Sequence, residues 1–185
     1  MATAHPAFKF TYEDYRTAPP GKRYELLDGD LLLNPAPNLK HQDIESRLGS
    51  RMARFIEARG LGKFYFAPCD VVLSDTDVVQ PDLLFVSHAR AHLLSGGDNV
   101  RGAPDLVVEI LSPTTADRDR GYKRALYAKH GVKEYWLIDP TAETVWIHEL
   151  RDGALTVTQT VGREQTLRSP LLAGFEVDLD DVFSS

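Results

Sequence analysis

A single cysteine, Cys69, stands in a chain of 185 residues, so no internal disulfide can form. A chain this long buries roughly 70% of its unfolded surface, enough to fold without a disulfide or a structural metal. No apolar run approaches the roughly 18 residues that cross a bilayer. Residues 1–10 also lack the continuous hydrophobic stretch of a secretory leader. Together these absences read as a cytoplasmic protein with no membrane contact. With 13 glycines and 11 prolines, collagen and low-complexity disorder are excluded. An excess of positive charge is missing too. Acids number 27 against 21 bases, a formal net charge of −6. That excludes a protein gripping nucleic acid by bulk charge, but not one with a local basic groove.

What is present reads as one domain over 1–185, with a lead at 1–20 and a C-terminal hairpin and acidic tail at 141–185. Thr11 is placed to cap a helical turn over Tyr12–Tyr15. Residues 24–33 read as a hairpin, because Asp28-Gly29 supplies the positive φ of a tight turn. His41–Arg59 spaces Ile44, Leu48, Met52, Phe55 and Ile56 as one helical stripe, ended by Gly60. Strands are expected at 63–67, 71–73 and 78–86, with irregular chain from 88 to 100. Leu106–Leu111 is an apolar run typical of a strand buried on both faces. A helix over 116–130, a strand over 134–138 and a hairpin over 144–161 follow. Phe175–Ser185 docks as a short helix. The order gives a mixed-sheet α/β (α+β) domain.

Three acids stand where acids are costly. Glu25 lies in the first hairpin strand, Asp82 follows Pro81, and Glu109 interrupts Leu-Val-Val-Glu-Ile-Leu. A carboxylate in a buried strand must be paired, hydrogen-bonded, protonated or bound to metal. Alternation puts Asp82 on the face of Gln80 and Leu84, and Glu109 on that of Val107 and Leu111. If the two strands are neighbours, the two carboxylates can converge, an arrangement that suits Mg²⁺. Lys123, on the helix after Glu109, is placed to hold a phosphate or orient water, with Tyr127 on its side of the helix. Structural alternatives stand beside these readings. Glu25 can pair with Lys22 or Arg23, Asp82 can simply enter a strand, and Lys123 can pair with Asp119 at i, i+4.

Other signals point to structure. His88 and His92 lack a third zinc ligand, and Asp75-x-Asp77 reads as a surface turn. Asp105, four residues before Glu109 on the same strand, reads as structural, and Trp136 as core.

Val79-Gln80-Pro81-Asp82-Leu83, Gly102–Pro113, Lys123, Tyr127 and Gly131–Pro140 together resemble the Uma-two family of the PD-(D/E)xK nuclease superfamily. Arg23–Gly29 and His41 fit its N-terminal part, and the likeness spans about residues 8 to 180. The resemblance implies a restriction-endonuclease-like core: a mixed central sheet flanked by helices, with extra N- and C-terminal β-hairpins. It implies a metal-dependent DNA endonuclease in which Asp82, Glu109 and the Ile110 backbone carbonyl hold Mg²⁺, with Mn²⁺ as a substitute. Glu25 falls near the same site. The superfamily lysine normally follows the second acid by two residues, where this chain has Leu111. Lys123 would then be a migrated lysine. Gln80, His41 and Tyr127 are supporting candidates around the site. A DNA substrate and a homodimer, two sites for two strands, are the implied partners. The alternative is a nuclease-fold module that has lost catalysis and acts in a complex.

The charge is uneven. Residues 134–185 hold ten acids and three bases, a net −7, leaving residues 1–133 at +1. Arg47, Arg51 and Arg54 on one helix, with Arg120 and Arg124 on another, are candidate DNA contacts, and the acidic C-terminal part is expected to face away from substrate.

Overall fold

A computed structural model describes residues 8–19, 21–114 and 116–184. The expected lead is therefore seen only in part, and its first seven residues lie outside the described residues. Helix α1 (Tyr12–Arg16) is capped by the Thr11 side chain. Strands β1 (Arg23–Leu27) and β2 (Asp30–Asn34) form the expected hairpin. Asp28 and Gly29 both take positive φ, 47° and 74°, as a two-residue turn with the strands' own twist requires. Helix α2 (Leu39–Ala58) begins two residues before the apolar stripe suggested. Its start is fixed by Asn38, whose side-chain oxygen accepts the His41 N–H.

Then come β3 (Gly62–Phe66), β4 (Val71–Ser74), β5 (Asp77–Val79) and β6 (Leu83–Ser87). The single strand expected over 78–86 is in fact two strands in two different sheets. The break is Gln80-Pro81-Asp82, where proline has no N–H for a ladder. Residues 88–94, expected to be irregular, form a 3₁₀ helix. The chain continues through β7 (Val100–Arg101), β8 (Leu106–Ile110) and α3 (Ala116–Arg118), then one π-helical turn (Asp119–Lys123) and α4 (Arg124–His130). Gly131, at φ 86°, ends that helix. Strands β9 (Glu134–Asp139), β10 (Thr144–Arg151), β11 (Ala154–Gly162), β12 (Thr166–Arg168) and β13 (Glu176–Asp178) precede α5 (Leu179–Phe183).

A six-stranded mixed sheet, ordered β11-β10-β9-β8-β6-β3, forms the centre. Its β8 and β9 are parallel and joined through α4, while β6 and β8 are antiparallel. On one face, Leu83, Phe85, Val108 and Trp136 pack under the α2 stripe and the C-terminal residues Phe175, Leu179 and Val182. On the other, Leu84, Val107, Tyr135 and Leu137 pack under Leu126 and Tyr127 of α4 and under the second sheet. That second sheet is ordered β2-β1-β5-β4-β7. The fold is a mixed α/β domain with a central mixed sheet packed on both faces, as the order of elements predicts. No helix among the described residues is long and apolar enough to cross a membrane.

Candidate active site

The two sheets meet where the chain passes from β5 to β6, and the acids gather there. Leu83 pairs with Val108 across the antiparallel β6–β8 ladder, so Asp82 comes level with Glu109. Asp82 accepts the Ile110 N–H on Oδ2 at 2.7 Å. The same oxygen lies 3.2 Å from His41 Nε2 on the first turn of α2. Glu109 turns towards α4, where its Oε1 accepts the Lys123 ammonium at 3.0 Å and the Tyr127 hydroxyl at 2.7 Å.

Glu25 on β1 completes the cluster. Its Oε1 lies 2.8 Å from Lys123 Nζ and accepts the Gln80 N–H at 2.9 Å. Its Oε2 is 3.4 Å from Arg118. Glu25 is thus paired with Lys123 and Arg118 rather than with Lys22 or Arg23. Lys123 also reaches Asp119 at 3.4 Å, so its i, i+4 pairing and its place among the strand acids are both present. The π turn brings Asp119 and Lys123 inward together, a local widening that recurs at functional sites.

Burial first, and then the negative charges of Asp119, Asp82 and Glu25, push the Glu109 carboxyl well above the ordinary glutamate range, with Lys123 only partly offsetting them. Burial alone would lower the Lys123 ammonium, but Glu109, Glu25 and Asp119 outweigh it and hold the lysine charged. Burial, together with Glu109 and Glu25, keeps the Tyr127 hydroxyl protonated. For His41, burial acts downward, yet the contact with Asp82 and the charge of Glu45 raise it overall. A cavity of about 220 Å³ opens over this cluster, lined by Asp82, Glu109, Ile110, Lys123, His41 and Arg23 among others.

Residues 11–180 match a family model described as "Putative restriction endonuclease". The chain belongs to the Uma2 family. No curated protein matches it. Its fold is similar to a crystal structure titled as a "putative nuclease belonging to DUF820" from Anabaena variabilis, with a TM-score of 0.78 and 22% identity over 95% of this chain and 98% of that one. The likeness is one of fold. Family and fold together point to a nuclease.

The donor set of this Uma2 chain suits a divalent cation. Asp82, Glu109 and Ile110 line one cavity and offer oxygen, the donor a hard ion prefers. Glu25, Asp82, Glu109 and Asp119 stand there with Lys123, Arg118 and Arg23 among them. The residues therefore fit such an ion. One further grouping emerges. Among the described residues, His41, Glu45 and Asp82 form the one set of three whose donor atoms all lie within 4.8 Å of one another. Glu25, Asp82 and Glu109 do not form such a set, and the Lys123 ammonium stands between Glu25 and Glu109. Sequence reading missed Glu45, although its i+4 spacing from His41 was a usable signal.

The arginines are placed differently from expectation. Arg47 bonds the Ser184 carbonyl and hydroxyl, and Arg51 pairs with Asp181 at 3.1 Å. Arg54 lines a separate surface hollow with Phe55 and Phe175. None of these three lines the acid cavity, because that flank of α2 is taken by the C-terminal segment. The acidic tail packs along α2, where Asp181 pairs with Arg51. Arg120 bonds Asp139 at 2.9 Å, and Arg124 is exposed on α4.

Two residues expected to be structural are so. Asp105 is salt-bridged to Lys133 at 2.6 Å and accepts the Ser87 N–H. Trp136 is fully buried. Asp77, expected in a surface turn, is instead buried and binds the Asp28 N–H, the Ser74 hydroxyl and the Tyr122 hydroxyl.

Proposed function

We propose that this protein is a metal-dependent endonuclease that hydrolyses DNA phosphodiester bonds. The observation that carries the reading is the level, cross-strand placement of Asp82 and Glu109 over one cavity with the Lys123 ammonium beside them. Asp82, Glu109 and the Ile110 carbonyl are the residues that would hold Mg²⁺ or Mn²⁺. When bound, such an ion supplies Lewis-acid stabilisation of phosphoryl charge and a more acidic water. The chain's own residues do the rest. The Ile110 N–H fixes the Asp82 carboxylate. Tyr127 fixes Glu109 by donating its hydroxyl proton. Glu25 and Asp119 keep Lys123 charged and aimed at the Glu109 edge of the cavity, where an ammonium orients water or offsets charge on the phosphoryl oxygens. His41, against Asp82, supports that acid from the α2 side. Two such sites, brought together in a homodimer, would serve the two strands of a duplex.

One observation favours a second reading, a nuclease-fold module without catalysis. Lys123 is buried and salt-bridged to three acids, as a purely structural lysine would be. Plasmid cleavage with Mg²⁺ or Mn²⁺ separates the two. The nuclease reading expects nicking or linearisation by the wild type, and a loss of about 100-fold or more in Asp82→Ala and Glu109→Ala. Activity surviving both substitutions would overturn the assigned site. No cleavage of DNA or RNA, with no heat of metal binding, would leave the module.

A further inference from the structure

Arg23 lies two residues before Glu25 on β1, so both side chains leave the same face of the strand, and Arg23 lines the acid cavity. Its Nε donates to the Gln80 side-chain oxygen at 3.1 Å. Among the described residues, its two terminal nitrogens make no hydrogen bond and no ion pair. Gln80 is itself held at three points. Its side-chain nitrogen donates to Asp70 at 2.7 Å and lies 3.2 Å from the Tyr15 hydroxyl. Its backbone N–H donates to Glu25 at 2.9 Å. Tyr15 also donates to Asp70, at 2.8 Å. Burial, and then Asp70, push the Tyr15 phenol upward, so this donor keeps its proton. Since the amide nitrogen is committed to Asp70, the amide oxygen must face Arg23. The side chain that orients Arg23 is only 8% exposed. The guanidinium is therefore fixed at its inner edge, and its outer fork is unused.

We infer that Arg23 is a phosphate clamp: its outer N–H groups grip a phosphodiester phosphate of a DNA strand lying in the acid cavity, and Gln80 is the residue that positions it. This rests on the proposed nuclease function and deepens it. An anion entering a cavity walled by carboxylates needs cationic partners besides a metal. Lys123 is already shared among three acids, whereas Arg23 offers a planar fork that matches two phosphate oxygens. The same geometry assigns different duties to charge and orientation. Arg23 supplies both, and Gln80 supplies orientation alone.

The test is fluorescence anisotropy of a labelled DNA duplex across a series of KCl concentrations, without divalent ion, with thermal melts of each variant alongside. Arg23→Gln should bind about tenfold or more weakly. Its log K against log[salt] slope should be shallower by about 0.9, because one phosphate fewer is neutralised. Arg23→Lys should restore the slope but not the full affinity, because a point charge has no fork. Gln80→Leu should weaken binding while leaving the slope at the wild-type value, an outcome that loss of packing alone would not give. If Arg23→Gln melts early, the Arg23→Lys and Gln80→Leu pair still decides the matter. Wild-type affinity and slope in Arg23→Gln, or no DNA binding by the wild type, overturns the clamp. Plasmid cleavage with unaltered binding by Arg23→Gln would remove the clamp and keep the nuclease. A changed slope without any cleavage would keep the clamp and remove the nuclease.

Discussion

At the scale of single residues, the Lys123 ammonium is a charge held almost wholly out of water. It survives burial only because Glu25, Glu109 and Asp119 surround it. Lys123→Met leaves three buried carboxylates without their shared cation, which should cost about 3–5 kcal/mol in denaturant unfolding. A change below about 1 kcal/mol would place it among ordinary surface pairs. Asp105 gives a pH prediction. Burial acts to raise its carboxyl, but Lys133 and the Ser87 N–H outweigh burial and hold it below the usual 3.8. A depressed folded value contributes stability above the unfolded pKa and loses it as pH falls through the folded one. The melting temperature should therefore drop on acidification below about 4. Asp105→Asn should be less stable at pH 7 and show a shallower acid limb.

At the scale of elements, α2 links packing to the site. Asn38 fixes its first turn by accepting the His41 N–H at 2.9 Å, which also fixes His41 against Asp82. Asn38→Ala should cost about 1 kcal/mol, read as a lower denaturation midpoint. Gly49 lets the same helix sit close to the sheet. A Cβ there would meet the Phe66 ring and come within 2.9 Å of Leu83. Gly49→Ala gains about 1 kcal/mol of helix propensity, yet overpacking of about 1–3 kcal/mol should make it melt lower than the wild type. Glycine's role here depends on a neighbour 34 positions along the chain, Leu83, so local sequence does not reveal it. The reverse holds for the β1–β2 hairpin, where Asp28-Gly29 dictates the turn by itself.

At the scale of the molecule, the C-terminal stretch is part of the core. Leu167, Leu172, Phe175, Val177, Leu179, Val182 and Phe183 all join the cluster beneath α2. The buried carboxylate of Glu134 fastens the segment by accepting the Ser169 hydroxyl and the Leu171 N–H. Each such buried side chain contributes about 1.5–3 kcal/mol, and a whole domain nets only about 5–15. A chain ended after Gly162 should therefore show no cooperative melt by circular dichroism. The same packing offsets part of the uneven charge, since Asp181 of the acidic stretch pairs with Arg51 of α2.

Local sequence was sufficient wherever one neighbourhood sets the free energy. The tight turn at Asp28-Gly29, the apolar stripe of α2, the buried strand carrying Glu109 and the cap at Gly131 are all of this kind. Glu109 stands out because a carboxylate in an apolar strand has no local partner, and that cost is visible without coordinates. Tertiary structure decided what depends on distant partners. It split the strand at Pro81 between two sheets, set Lys123 between Glu25 and Glu109, gave Arg47 and Arg51 to the C-terminal segment, and tied Arg23 to Gln80 at the acid cavity. These outcomes are sums of interactions between residues far apart in sequence, and only the folded chain brings those residues within reach of one another.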